Sequence, residues 1–195
     1  MRTRSAQVVV TPTYALFVVI GALIFSFLGA FWAAESIANW PGAPAWAYGL
    51  VAVLVLGLTA FAVARLVSSR SLPPAADPVA ASREGKRMGI AFGVTFTVEF
   101  VLIALVAVLL DNAGHSLLIP VAVALIVGAH FLPLARVFRL PFYYVTGLLC
   151  MACALGVLLL PAESVRLLVL GLSVAAVLWV SAFVVLIRYT GLSGA

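Results

Sequence analysis

The sequence predicts an all-α membrane protein, a polytopic bundle of six transmembrane helices with both ends inside, built as three helical hairpins. Three observations predict it. Of 195 residues, 66% are hydrophobic and only 9% are charged, whereas a soluble domain carries about a quarter charged residues to face water. The apolar residues fall into six runs close to the ~20 residues a helix needs to cross ~30 Å of hydrocarbon. The basic residues gather between alternate runs, the pattern that orients helices in a bilayer. Peptide groups in hydrocarbon must satisfy one another, and no alternating segments of a barrel are present, so the runs are helices. A single membrane domain, residues 1–195, follows.

In chain order the spans are 13–34, 45–66, 88–110, 116–135, 141–160 and 165–187. The first follows Arg2 and Arg4 and ends at Ala33-Ala34-Glu35, which has the outline of a signal peptide. Its apolar stretch exceeds the usual run of about 7–15 residues, and its removal would push the mature amino terminus outside, so it reads as a retained helix. Between spans two and three lies the only long loop, 67–87, where Pro73, Pro74 and Pro78 among small residues predict a flexible cytoplasmic linker. Span three opens with Gly89-Ile-Ala-Phe-Gly93, continued by Thr97 on the same face. Small residues at this spacing let helix backbones approach, within the bundle or in a dimer. Pro120 and Pro133 are expected to bend span four near its two ends.

Charge sets the orientation. Arg2, Arg4, Arg65, Arg70, Arg83, Lys86, Arg87, Arg136, Arg139 and Arg188 fall on one side, and only Arg166 on the other. Both termini are therefore expected in the cytoplasm. Trp32, Trp40 and Trp46 mark the outer interface, and Tyr14, Tyr143, Tyr144 and Tyr189 the inner one. The spans pair into hairpins of about fifty residues, from Tyr14 to Arg65, Arg87 to Arg136 and Leu140 to Arg188, each ending in Arg. An inverted repeat of two three-helix halves is the alternative. Ten of the eleven basic residues are Arg, a composition that fits a GC-rich bacterial genome and hence a bacterial plasma membrane.

The net charge of +5 is explained by topology, without nucleic acid, since no basic face interleaved with aromatics is present. No motif implies a cofactor or a metal: there is no Gly-rich phosphate loop, no HExxH, and no Ser matched in depth with His and an acid. Cys150-Met-Ala-Cys153 has redox-pair spacing, but it lies mid-span with no base or cation to activate a thiolate, and no second pair completes a zinc site. Glu35, Asp111, His115 and Glu163 come from the outer turns, as an acidic rim or as solvated loop ends.

Glu99 is the most informative residue. It lies about twelve residues beyond Arg87, near the membrane midplane. An acid there costs roughly 2.5 to 3.5 kcal/mol on insertion scales, so a partner, water or a proton must offset it. Thr95, one turn away, is expected to donate to it. His130 lies about six residues from the inner end of span four, in a layer with Tyr143, Tyr144, Thr146, Thr59 and Ser181 that a polar pocket could collect. Counting along the helices separates Glu99 and His130 by roughly 8 Å in depth, so direct contact is not expected, though water could link them.

Two function classes follow. One is a small proton- or cation-coupled transporter or channel-like protein using Glu99, with His130, Tyr144 and Thr95 on the path. The other is a non-transporting structural, assembly or partner-binding module whose polar residues only tie helices together. An intramembrane enzyme lacks a nucleophile. The partners expected are the lipid bilayer and a second copy or another membrane protein; the solute or ion is not encoded in any motif.

Overall fold

The computed structural model describes residues 12–71 and 77–189, and among them every regular element is helical. The elements are α1 (Pro12–Ala38), α2 (Ala45–Ser69), α3 (Pro78–Asn112), α4 (Ile119–Val137), α5 (Phe142–Gly156) and α6 (Glu163–Tyr189). Single 3-10 turns, Ser116–Leu118 and Val157–Leu159, lead into α4 and close α5. Six stretches are long and apolar enough to cross a membrane, which is compatible with a multi-pass membrane protein.

The largest departure from the predicted spans is at α3. Its helix begins at Pro78, ten residues before the expected start, and α2 runs on to Ser69. The expected linker 67–87 is therefore mostly helix; residues 72–76 lie outside the described residues. The cause is local. The Asp77 carboxylate accepts from the backbone N–H of Val79 (2.9 Å) and Ala80 (3.0 Å), capping the helix. Pro78 at the first position lacks only a donor that would have no intrahelical partner. The resulting 35 residues span about 52 Å. Pro120 sits likewise in the first turn of α4, so it starts that helix and does not bend it; Pro133 is the proline inside it.

Helices α1 and α6 form the centre. Half of the most apolar stretch of each is buried against protein, against only 6% for α2 and for α3. The most extensive helix contacts join α1 to α6 and α4 to α5. Sequence neighbours α1–α2, α3–α4 and α5–α6 also touch, and the α1–α6 and α4–α5 contacts join one such pair to another. Missing side chains make the closest approaches possible. A Cβ on Gly128 would lie 2.8 Å from the Gly147 carbonyl oxygen, and one on Gly147 would lie 2.5 Å from that of Gly128. On the other seam, a Cβ on Gly171 would collide with the Ser36 hydroxyl. Across the middle, Phe25 meets Phe131 edge-on at 5.1 Å and Tyr143 at 5.4 Å, joining α1 to α4 and α5.

Of the Gly89–Gly93–Thr97 face, only the Gly89 end meets another helix among the described residues. Nothing lies within 4 Å of a Cβ on Gly93, and a Cβ on Gly89 would only brush the Phe17 ring at 3.8 Å. Thr97 is exposed and bonds the Gly93 carbonyl of its own helix (2.9 Å). The approach of α3 to α1 occurs one turn earlier, where a Cβ on Gly85 would reach Thr13 Cγ2 at 3.1 Å. The outer tryptophans also divide: Trp40 and Trp46 are exposed, whereas Trp32 is buried in the core.

Candidate functional site

Glu99 on α3 and His130 on α4 are both buried, 5% and 8% exposed, and Oε1 of the carboxyl lies 3.2 Å from Nδ1 of the imidazole. Direct contact replaces the expected 8 Å separation in depth. Counting from Arg87 and from the inner end of span four assumed that both helices begin and end at one interface. In fact α3 starts nine residues before Arg87 and α4 continues to Val137, so the two counts had no common origin.

The contact lies off the in-line direction of a hydrogen bond, and among the described residues neither Nδ1 nor Glu99 Oε2 has a hydrogen-bond partner. The imidazole ring sits against Phe131 at 4.3 Å and Phe96 at 5.8 Å. Phe96 belongs to a run on α3, with Phe92 at 4.6 Å and Phe100 at 5.9 Å between ring centroids. These phenylalanines recur every four residues, and Glu99 follows Phe96 by three, so one face carries the rings and the acid. That spacing was the readable signal for the aromatic wall, which the polar residues alone did not point to.

The surroundings of the pair differ in its two directions. Towards the Glu35 end, a cleft of about 450 Å³ runs between α1, α3 and the start of α4, walled by Phe31, Trp32, Phe96, Phe100 and aliphatic side chains. Glu99 lines it, and Glu35, Ser36 and Asn39 are its other polar residues. Towards the Arg136 end, Phe17, Phe92, Phe138 and Tyr143 help enclose a void of only about 10 Å³ beside His130. That is at the lower limit for one water molecule, so aromatic side chains close this direction.

The other expected site residues are placed elsewhere. Thr95 gives its hydroxyl to the Ala91 carbonyl one turn back (2.8 Å) and not to Glu99, the usual local bond of a mid-helix threonine. The Tyr144 hydroxyl accepts from Arg136 Nε at 3.2 Å and does not join the pair. Thr146 and Ser181 bond each other at 2.8 Å, tying α5 to α6, and the buried Thr59 hydroxyl has no hydrogen-bond partner. These side chains are spread over separate seams, so the expected polar pocket around His130 does not assemble. Cys150 and Cys153 are both free thiols. Of the expected outer rim, Glu35 stands in the cleft, and Asp111 accepts from the Ser116 hydroxyl at 2.7 Å. Among the described residues, no group of three or more His, Cys, Asp and Glu is placed to hold a metal ion.

A carboxyl and an imidazole in contact can hold zero, one or two protons between them. The one-proton state is neutral overall whichever group carries it, which suits a dry surrounding. Gain or loss of a further proton leaves a net charge beside the aromatic wall. The pair borders the cleft through Glu99.

Protein-family models, curated sequences and solved structures were all compared with this chain, and none matches it.

Proposed function

We propose that the chain is a multi-pass protein of a bacterial plasma membrane, with both termini cytoplasmic, that couples a proton or cation at Glu99 and His130 to movement of a small solute. The single observation that carries this reading is Glu99 itself: a buried carboxyl with one oxygen unpartnered, beside an imidazole, lining an apolar cleft of about 450 Å³. An acid at such a depth costs a few kcal/mol and is retained where it meets a substrate or an ion. The asymmetry around the pair, open one way and closed by aromatics the other, is what one state of an alternating-access carrier requires. The orientation rests on the ten-to-one placement of basic residues.

A hydrophobic carbodiimide in membrane vesicles tests this, followed by mass spectrometry of the peptide that carries residue 99. Labelling of Glu99 is expected to vary with pH and to fall when a transported cation or solute occupies the cleft. Glu99→Gln is expected to remove both labelling and transport while the protein remains folded. A carboxyl that stays unreactive at every pH in folded protein refutes the reading.

A structural role is the second reading, and one observation favours it. Helix α3 is little buried, and Glu99–His130 is a polar contact joining it to α4. On that reading Glu99→Gln keeps full function. The exposed Gly93–Thr97 face, which no helix covers among the described residues, then supports a second copy or another membrane protein as partner.

A further inference from the structure

A second site lies at the opposite end of α3 from Asn112. Arg83, Glu84 and Arg87 from the first turns of α3, Arg136 from the last turn of α4 and Arg139 just beyond that helix surround a cleft of about 390 Å³ that Met88 and Val137 also line. Four guanidinium groups face one carboxylate. Glu84 meets Arg139 at 3.6 Å, and among the described residues Arg83, Arg87 and Arg136 have no ion-pair partner. Like charges this close repel one another, so the arrangement favours an anion between them.

Two local features hold the cleft in shape. Arg136 has its Nε fixed by the Tyr144 hydroxyl at 3.2 Å. Arg139 takes a left-handed conformation, φ 53°, where a glycine is the usual occupant. That turn lets the Leu140 N–H close back on the Ala135 carbonyl (3.0 Å), while the Arg139 guanidinium reaches Glu84 on α3. The sequence placed these arginines in two different loops. Extension of α3 back to Pro78 turned Arg83 and Arg87 into residues of one helix wall.

We propose that this cleft binds a phosphate ester anion, and that its source is the headgroup of an anionic phospholipid. Arginine guanidinium forks match phosphate oxygens in geometry as well as charge. The choice of a lipid over a soluble phosphate rests on what adjoins the cleft. A second, shallower depression lined by Arg83, Lys86 and Arg87 leads onto Ile90 and Ala91. From there Ile90, Val94 and Val98, four residues apart, form an exposed apolar strip along α3. A headgroup among the arginines therefore has a surface beneath it for acyl chains, which a free phosphate would not use. The site is separate from Glu99 and does not depend on transport.

The test is native mass spectrometry of the full chain with phosphatidylglycerol or phosphatidylcholine of matched acyl chains, with inorganic phosphate as a separate arm. Phosphatidylglycerol is expected to bind preferentially. Arg87→Gln with Arg136→Gln should weaken it about 25-fold, at about fivefold per arginine. Arg70→Gln, at a residue that lines neither depression, should leave it unchanged. Val137→Trp fills the cleft without altering charge and should also abolish the preference, which guards against a folding or topology defect in the arginine variants. Equal loss in Arg70→Gln would mean general surface attraction and overturn the site. Saturation by inorganic phosphate with no preference between the two lipids would overturn the lipid source.

Discussion

A double-mutant cycle on Glu99→Leu and His130→Leu measures what holds α3 to α4 at the site. Each single change mixes several terms: loss of the contact, relief from burying a polar group, and new apolar packing. The cycle cancels all but the pairwise term. Polar contacts between helices in a bilayer average about 0.6 kcal/mol and reach about 1.7. Removing one member of a buried ion pair instead costs about 3–5 kcal/mol. At 3.2 Å, but without in-line hydrogen-bond geometry, the Glu99–His130 contact belongs near that average and well short of the upper figure. The expected coupling is therefore about 0.6 kcal/mol. Reversible unfolding in lipid–detergent micelles gives the four stabilities, with buried Trp32 and the partly buried Trp179 as fluorescence reporters. A coupling below about 0.3 kcal/mol is within the error of additivity and refutes the contact. One well above about 1.7 kcal/mol exceeds any polar contact of this kind and refutes the reading of a weak, yielding contact.

Two further outcomes follow from the packing. Gly147→Val should destabilise by at least the 1–3 kcal/mol typical of overpacking, because its Cβ would press on the Gly128 carbonyl, whereas Gly93→Val should change monomer stability little; paired unfolding midpoints check both. Asp77→Ala should weaken the first turns of α3 by about 1 kcal/mol, seen as faster amide hydrogen exchange at Val79 and Ala80 with the rest of the helix unaffected.

The number and approximate limits of the helices were legible because hydrocarbon imposes length and composition directly on each span. What was not legible arose where side chains of different helices meet. The start of α3 is an instructive case: Asp77-Pro78 is a helix-start signal, yet its setting among prolines and alanines reads equally as a linker. Missing that start displaced the depth count for Glu99 and hid its contact with His130. The small-residue motif shows a different limit. Gly89 and Gly93 have the spacing of a packing face, but spacing does not say whether another helix lies opposite. The tight seams use Gly128 against Gly147, and Gly171 against Ser36, pairs whose members lie on different helices and share no sequence pattern. Tyr144 and Thr95 have the right chemistry for a proton path, but each already has a partner, Arg136 and the Ala91 carbonyl.

The coupling and the structural readings draw on the same two residues, and the strength of their contact separates them physically. A carrier must loosen α3 from α4 when the proton state or the occupant of the cleft changes. A contact worth about 0.6 kcal/mol is of the order of thermal energy, so it biases the position of α3 without locking it. Helix α3 is little enclosed, with only 6% of its most apolar stretch buried, compared with half of α1 and α6; its other contacts include Phe92 against Phe138 and Glu84 with Arg139. Meanwhile α1–α6 and α4–α5 are seamed by close backbone approaches that do not yield to a proton. A tightly packed body beside a less enclosed helix carrying the acid is the division on which the proposed coupling relies. A simple packing role would be served better by an apolar residue at position 99, which would spare the cost of burying a carboxyl.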